Sequence, residues 1–388
     1  MTDSAPQPAT RFAAATYADR LARAARLAAD AGLDALVIGT GPDLQYLTGS
    51  RAHSFERLTA IVVPASGAPA TVVVPRLELA SLRDSAIAEL GLRVLDWVDG
   101  VDPHGLVTDI VAEAMGDGTG APAIAVDPAL PALHVVPLAG RIGAPARLAT
   151  PVLRELRMIK DAEEVEALRR AGAAIDRVHA RMGEWLKAGR TERQAAEDIA
   201  AAIVEEGHTE PEFIIVGSGP HGADPHHEVS DRVLAAGDVV VIDIGGPVEP
   251  GYNSDSTRTY CIGEPDPEIA RRYALLEAAQ EAARRQARPG VTAESVDAAA
   301  RDELARHGLA DAFVHRTGHG IGLSVHEEPY IVAGNAELLR PGMAFSIEPG
   351  IYFQGEWGAR IEDIVVVTDD GCEPLNTRPR ALGILSAH

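Results

Sequence analysis

The sequence predicts an α/β domain over residues 1–152 followed by an α+β domain over 153–388, in which helices cover one face of a curved antiparallel sheet. Three observations predict it. Short apolar runs alternate with helical patterns through the first part, as α/β domains require. In the second part, two helices followed by a hairpin occur twice, as in a pseudo-duplicated fold. There, single acidic residues also interrupt apolar strands, and a buried carboxylate is costly unless its charge is compensated. A chain of 388 residues is long enough for two cores.

In order, residues 1–14 are rich in Pro, Ala and Thr and read as loosely attached. A helix is expected from Tyr17 to Ala31, stopped at Gly32. Strands are expected at Ala35–Gly39, Thr59–Val63, Thr71–Val74 and Ala123–Val126. Helical patterns fall at Leu77–Leu90 and His104–Met115. No glycine-rich phosphate loop opens any of these helices, so the first domain reads as a substrate-capping or dimerising one. The boundary falls in Ala149–Arg157.

Beyond it, Asp161 and Glu164 make a capping-box start for a helix carrying Val165, Leu168, Ile175, Val178 and Met182 at helical spacing. Thr191 with Gln194 starts a second helix, ending at Gly207. A strand at Glu212–Val216 and a turn-rich segment, GSGPHGADPHH, lead to a hairpin over Gly237–Ile262. Helices over Pro267–Arg288 and Thr292–His307 follow, the first with proline in its opening turn.

Composition is that of an ordinary globular protein, with 46% hydrophobic and 24% charged residues. A net charge of −22 argues against nucleic acid or an anionic membrane as partner. Two distant cysteines, Cys261 and Cys372, exclude a disulfide framework and favour a reducing compartment. The N-terminus lacks a basic region followed by an apolar one, and no stretch approaches a membrane span, so a cytoplasmic location is expected. Only Lys160 and Lys187 are lysines, which reads as coding bias.

The hairpin carries Asp243 on the Val239 and Val241 face of its first strand. Asp255 shares a face with Thr257 and Thr259 on its second. Downstream come His319 in the glycine-rich loop TGHGIG, Glu348 in FSIEPG, and Glu362 in the strand ARIEDIVVV with Arg360, Ile364 and Val366 on its face. Four carboxylates exceed what one divalent ion neutralises, but suit two ions sharing bridging carboxylates. Oxygen donors with one imidazole point to Mn²⁺, Co²⁺, Fe²⁺ or Zn²⁺, with Mn²⁺ the first expectation.

These five residues, in this order and context, resemble the pita-bread metallopeptidases: prolidase, aminopeptidase P, methionine aminopeptidase and the metal-free creatinase. The resemblance is specific from Arg157 to Ile364. It extends to the first domain through Tyr46-Leu47-Thr48-Gly49 and Glu56-Arg57. It implies a creatinase-like N-terminal domain and a pita-bread catalytic domain. Asp243 would then chelate one metal, His319 and Glu348 the other, and Asp255 and Glu362 both. His226, His315 and His326 match histidines that hold the substrate carbonyl or shuttle a proton, and Glu348 would accept the proton of the attacking water. Arg360, in Arg-x-Glu-Asp, would orient Glu362 or grip a carboxylate. For His221 and His227 a surface or structural role is an equal alternative, and Asp363 reads as structural.

The implied reaction is hydrolysis of the amide between an N-terminal residue and a following proline, on a small peptide, by a homodimer. Two features depart from the family pattern. His221 stands where asparagine is common, and the turn between Asp243 and Asp255 is one residue longer than in prolidases. The alternatives are a metal-dependent amidohydrolase on a non-peptide C–N bond and a non-enzymatic binding protein. The retained ligand set argues against the latter and against creatinase chemistry. The length of the first domain argues against methionine aminopeptidase.

Overall fold

The computed structural model describes residues 10–54, 56–116 and 120–387. The chain divides into two compact units, Ala9–Arg157 and Met158–His388. Of the N-terminal segment expected to be loose, residues 1–9 lie outside the described residues. Residues 10–13 do not behave as expected: the Phe12 amide donates to the Tyr17 hydroxyl (3.2 Å), and the Arg20 guanidinium lies 5.0 Å from the Phe12 ring centre.

The first unit contains helices α1 (Ala14–Asp30), α2 (Pro42–Thr48), α3 (Pro103–Met115), α4 (Ala132–Ile142) and α5 (Thr150–Arg157). Its strands are β1 (Ala35–Gly39), β2 (Ala60–Pro64), β3 (Thr71–Pro75), β4 (Arg93–Trp97), β5 (Ile124–Val126) and β6 (Arg147–Leu148). They form one mixed sheet in the order β4-β3-β2-β1-β5-β6. The runs read from sequence as strands are those buried at every position, which is why unbroken apolarity marked them. β4 was missed because it is half exposed and mixed in character. The helix expected over Leu77–Leu90 is only a 3₁₀ segment, Arg76–Leu82, because Leu77 and Leu79 point to solvent and give no apolar stripe to bury. Tyr46 is buried under Arg20 and donates to the Leu156 carbonyl at 2.7 Å, which is a structural role.

The second unit begins with α6 (Ala162–Ala180), α7 (Met182–Trp185) and α8 (Glu192–Glu205), and both expected capping boxes are formed. Strands β7 (Phe213–Ser218), β8 (Val239–Val248) and β9 (Tyr252–Ile262) follow. Next come α9 (Pro267–Gln286) and α10 (Ala293–Arg306). The remaining strands are β10 (Gly318–Gly320), β11 (Glu327–Ile331), β12 (Ala344–Ile347), β13 (Gly350–Phe353), β14 (Trp357–Arg360), β15 (Asp363–Val367), β16 (Cys372–Pro374) and β17 (Gly383–Leu385). Two sheets result, β17-β9-β8-β7 and β11-β10-β12-β15-β16, with β13-β14 as a separate ribbon.

Side-chain alternation sorts each strand between core and site. Val240, Ile242 and Ile244 of β8 join Ile175, Val178, Ile199 and Ile203 of α6 and α8 in one core. In the other half, Phe345, Ile347, Ala359, Ile361, Val365 and Val367 pack with Leu276, Val296 and Leu304 of α9 and α10. The intervening positions on these strands include Asp243, Ser346 and Arg360. The register pairs Asp243 with Thr257 and Gly245 with Asp255, which puts both aspartates on one face of the hairpin.

Two expectations change here. His319 lies on β10 rather than in a loop, and Glu362 is in no strand. The run through ARIEDIVVV breaks after Arg360, because β14 pairs with β13 while β15 pairs with β12. In the gap, the Glu362 amide donates to the Thr257 carbonyl of β9 at 3.1 Å. The glycines beside His319 are required by packing: a side chain on Gly318 would overlap the Ser346 carbonyl, and one on Gly320 the Glu328 carbonyl.

Two stability predictions follow from this packing. Gly318→Ala should lose about 1–3 kcal/mol by urea unfolding, because backbone rather than a flexible side chain must yield. His179 is buried; burial, then the charge of Arg258, lowers it to about 3, and its Nε2 donates to the Ser256 carbonyl (3.1 Å). The unfolded chain therefore binds a proton there below about pH 6.5 that the folded chain refuses. That contribution is intact at neutral pH and is lost as pH falls, at up to about 1.4 kcal/mol per unit. His179→Gln should be less stable at pH 7, with a shallower decline in urea stability between pH 6.5 and 4.

Candidate metal centre

The five residues read from sequence as a ligand set converge on one cavity of about 770 Å³. Asp243 comes from β8, Asp255 from β9, His319 from β10, Glu348 from just past β12, and Glu362 from the gap between β14 and β15. Donor atoms of Asp255, His319 and Glu362 lie within 4.8 Å of one another. His319 Nε2 is 3.1 Å from Glu348 Oε1 and 3.6 Å from Asp255 Oδ2. Its Nδ1 donates to the Gly320 carbonyl at 3.1 Å, which turns Nε2 toward the carboxylates.

Three of the carboxylates are hydrogen-bonded through one oxygen each. Asp243 Oδ2 accepts from Arg360 Nη2 (2.5 Å), Glu362 Oε2 from the Thr257 hydroxyl (2.9 Å) and Glu348 Oε1 from the Ser346 hydroxyl (2.9 Å). The other oxygens of Asp243 and Glu362, together with Asp255 Oδ1, are buried with no hydrogen-bond partner among the described residues. Orphaned anionic oxygens are the most expensive groups a core can hold. Among protein charges alone, burial pushes Asp255 and Glu362 well above the usual carboxylate range, and neighbouring carboxylates, Asp243 among them, push further. Burial also opposes ionisation of Glu348, but its hydrogen bond to His319 overrides this and brings it to about 2. Burial opposes charge on His319 too, and Glu348 and Asp255 raise it to about 9. One imidazole and one guanidinium therefore serve three buried carboxylates and the partly buried Glu348, and the donor set fits divalent cations, which would take the place of the proton on His319 Nε2.

Arg360 is held at all three of its nitrogens. Besides Asp243, it donates to Thr257 Oγ1 (3.0 Å), the Tyr352 hydroxyl (2.8 Å) and the Pro225 carbonyl (3.3 Å). These bonds take four of its five N–H groups and fix the guanidinium against Asp243, Thr257 and Tyr352. Tyr352 also donates to His315 Nε2 (2.8 Å), while His315 Nδ1 donates to the Arg316 carbonyl (2.8 Å), so both His315 nitrogens are used. Burial lowers the His315 pKa below the usual histidine range. Sequence reasoning missed Tyr352. Its one signal is its place in the Gly350–Phe353 strand, two residues past Gly350.

His226 and His326 line the cavity, and their rings have no hydrogen-bond partner among the described residues. The His326 ring lies 4.1 Å from that of His319, edge to face. Desolvation, then the charges of His319 and Arg316, lowers it to about 4. Arg316 also lines the cavity, with its guanidinium 4.6 Å from the Tyr330 ring centre and without a carboxylate partner among the described residues. Phe213, Ile215 and Val325 give the wall apolar surface. His221 and His227 gather instead on Glu192. Asp363 accepts from Arg258 and Arg380 (both 2.6 Å) and is structural, as expected.

Comparison with known proteins agrees with this geometry. Residues 166–369 match the model of metallopeptidase family M24, and residues 20–159 match the creatinase/prolidase N-terminal domain. The chain is 65% identical over 373 residues to a probable dipeptidase PepE of Mycobacterium tuberculosis, covering 96% of this chain and 97% of that one. It is 34% identical over 360 residues to a Xaa-Pro dipeptidase of Lactobacillus helveticus, covering 92% and 96%. The crystal structure of dipeptidase PepE from Mycobacterium ulcerans superposes with a TM-score of 0.92 at 62% identity, over 97% of this chain and all of that one. The fold is the pita-bread fold behind a creatinase-type domain, and the family implies divalent metal ions and a peptide substrate. With its carboxylates and single imidazole gathered in one cavity and both domain models matched in order, the chain belongs to metallopeptidase family M24.

Proposed function

We propose that the protein is a two-metal Xaa-Pro dipeptidase. The observation that carries the reading is the set of three orphaned carboxylate oxygens beside His319 in a cavity that also holds an unpaired arginine. Asp243 would hold one ion, His319 and Glu348 the other, and Asp255 and Glu362 both. Mn²⁺ suits this oxygen-rich set, with Co²⁺, Zn²⁺ or Fe²⁺ as substitutes. When bound, such ions supply Lewis acidity and a nucleophilic water at neutral pH.

The protein's own groups do the rest. Glu348, at the cavity wall with its Oε1 held by the Ser346 hydroxyl, accepts the proton of the attacking water. His226 and His326 face the cavity with uncommitted ring nitrogens, placed to donate to the developing oxyanion and to the leaving imino nitrogen of proline. Arg360 holds Asp243 and Thr257, and through Thr257 it holds Glu362. Arg316, stacked on Tyr330, is the group available for the free carboxylate of a dipeptide, a role for which Arg360 is less suited because it is buried and tied to Asp243. The names of the relatives support proline in the second position and a two-residue substrate. Likeness to the family supports a homodimer, and two free cysteines agree with a cytoplasmic setting.

The central test is metal content and turnover with Xaa-Pro dipeptides. Asp255→Asn and Glu362→Gln should each lose bound metal by elemental analysis. Their kcat should fall by more than the roughly 10–100-fold typical of residues that merely support a ligand. Glu348→Gln with near-normal turnover in the presence of metal would remove the proton-accepting role. Arg316→Met should lower kcat/KM for a free dipeptide by about 10–100-fold, the worth of a charge-assisted hydrogen bond. The same variant should leave the corresponding dipeptide amide almost unaffected. Equal losses on both substrates would sink the carboxylate assignment while leaving the metal assignment standing.

A further inference from the structure

We propose that Glu192, His221 and His227 form a second, separate metal site that takes a transition-metal ion. Glu192 opens α8 and is wholly buried. His221 and His227 come from the segment between β7 and β8, and both aim a ring nitrogen at its carboxylate. His221 Nδ1 lies 3.1 and 3.2 Å from the two oxygens, and His227 Nε2 lies 2.9 Å from Oε2. The rings sit 4.3 Å apart, and one donor atom from each of the three residues falls within 4.8 Å of the others.

These separations approach the edges of a tetrahedron around zinc, about 3.3 Å for metal–ligand bonds near 2.0–2.1 Å. One carboxylate and two imidazoles select Zn²⁺, Co²⁺, Ni²⁺ or Cu²⁺ over Mg²⁺ and Ca²⁺. Without an ion, each imidazole directs an N–H at the carboxylate. The opposite nitrogens, His221 Nε2 and His227 Nδ1, have no hydrogen-bond partner among the described residues, so the ring proton can reside there instead and free the inner lone pair for a metal. The carboxylate is fixed by serines: Ser218 donates to Oε1 (amide 2.9 Å, hydroxyl 2.6 Å) and Ser230 to Oε2 (amide 3.2 Å, hydroxyl 2.7 Å), and an ion would take the lone pair that one of these hydroxyls gives up by rotating. An ion has a way in, because the His221 side chain is 37% exposed. The same segment carries His226 into the main cavity, so an ion here would stiffen the support of that residue.

The test is a ZnCl₂ titration of the full-length protein, followed by desalting and elemental analysis. Unaltered protein should retain one equivalent of zinc more than His221→Asn or His227→Gln, whatever the carboxylate centre itself holds. Asparagine can still donate to Glu192, so the first variant keeps that anion partnered. Co²⁺ added in place of zinc should give tetrahedral visible absorption in the unaltered protein that both variants lack. An independent reading, needing no variant, is an anomalous difference map of zinc-soaked crystals of the unaltered protein. A peak between Glu192 and the two imidazoles supports the site. A featureless map there, or equal zinc content in all three proteins, overturns it.

Discussion

Buried negative charge is the constraint on which the catalytic unit is built. Asp243, Asp255, Glu348 and Glu362 are brought within reach of one another, and protein groups satisfy only part of them. A core tolerates this only if something positive enters. Arg360 is held by four acceptors and fixed in one place, and His319 is pressed between Glu348 and Asp255. Arg360 supplies one fixed positive charge, and His319 supplies a second only while its Nε2 carries a proton instead of a metal, so protein groups alone do not balance the carboxylates. The family's divalent ions complete the sum.

The surrounding architecture is the cost of holding those anions in register. Each half of the unit lays two helices on a sheet, so that alternate strand residues fill an apolar core and leave the opposite face for polar work. Close strand packing around His319 excludes any side chain at Gly318 or Gly320. Outside the cavity, a second layer of ion pairs holds the strands. Asp363 is gripped by Arg258 and Arg380, and Arg258 Nη1 also donates to the Glu362 carbonyl (2.6 Å). This layer fixes the backbone of a site residue without touching the cavity.

Much of this was legible in the chain itself. Acidic residues inside apolar strands announced the centre, because alternation puts each on a known face, and both capping boxes were visible as Asp161 with Glu164 and Thr191 with Gln194. The break at Glu362 was not legible, because strand propensity is continuous through ARIEDIVVV and only pairing partners decide where the ladder changes. Nor was the engagement of Arg360, which depends on Tyr352 and on the Pro225 carbonyl, 135 residues away. His221 and His227 read as ambiguous because their partner, Glu192, lies in a different element, 29 and 35 residues earlier. Exposed β4 and the 3₁₀ segment at Arg76–Leu82 were misread because neither presents an apolar stripe.

The gap that holds Glu362 bears on how the molecule comes into being. Its amide reaches back to Thr257, so the last of the five groups is placed by a strand made more than a hundred residues earlier. A nascent chain leaving the ribosome has Asp243 and Asp255 long before His319, Glu348 and Glu362 emerge. A copy that stops short of Glu362 does not carry all five groups. Proteolytic power is thereby withheld from the chain until Glu362 has emerged and docked on Thr257.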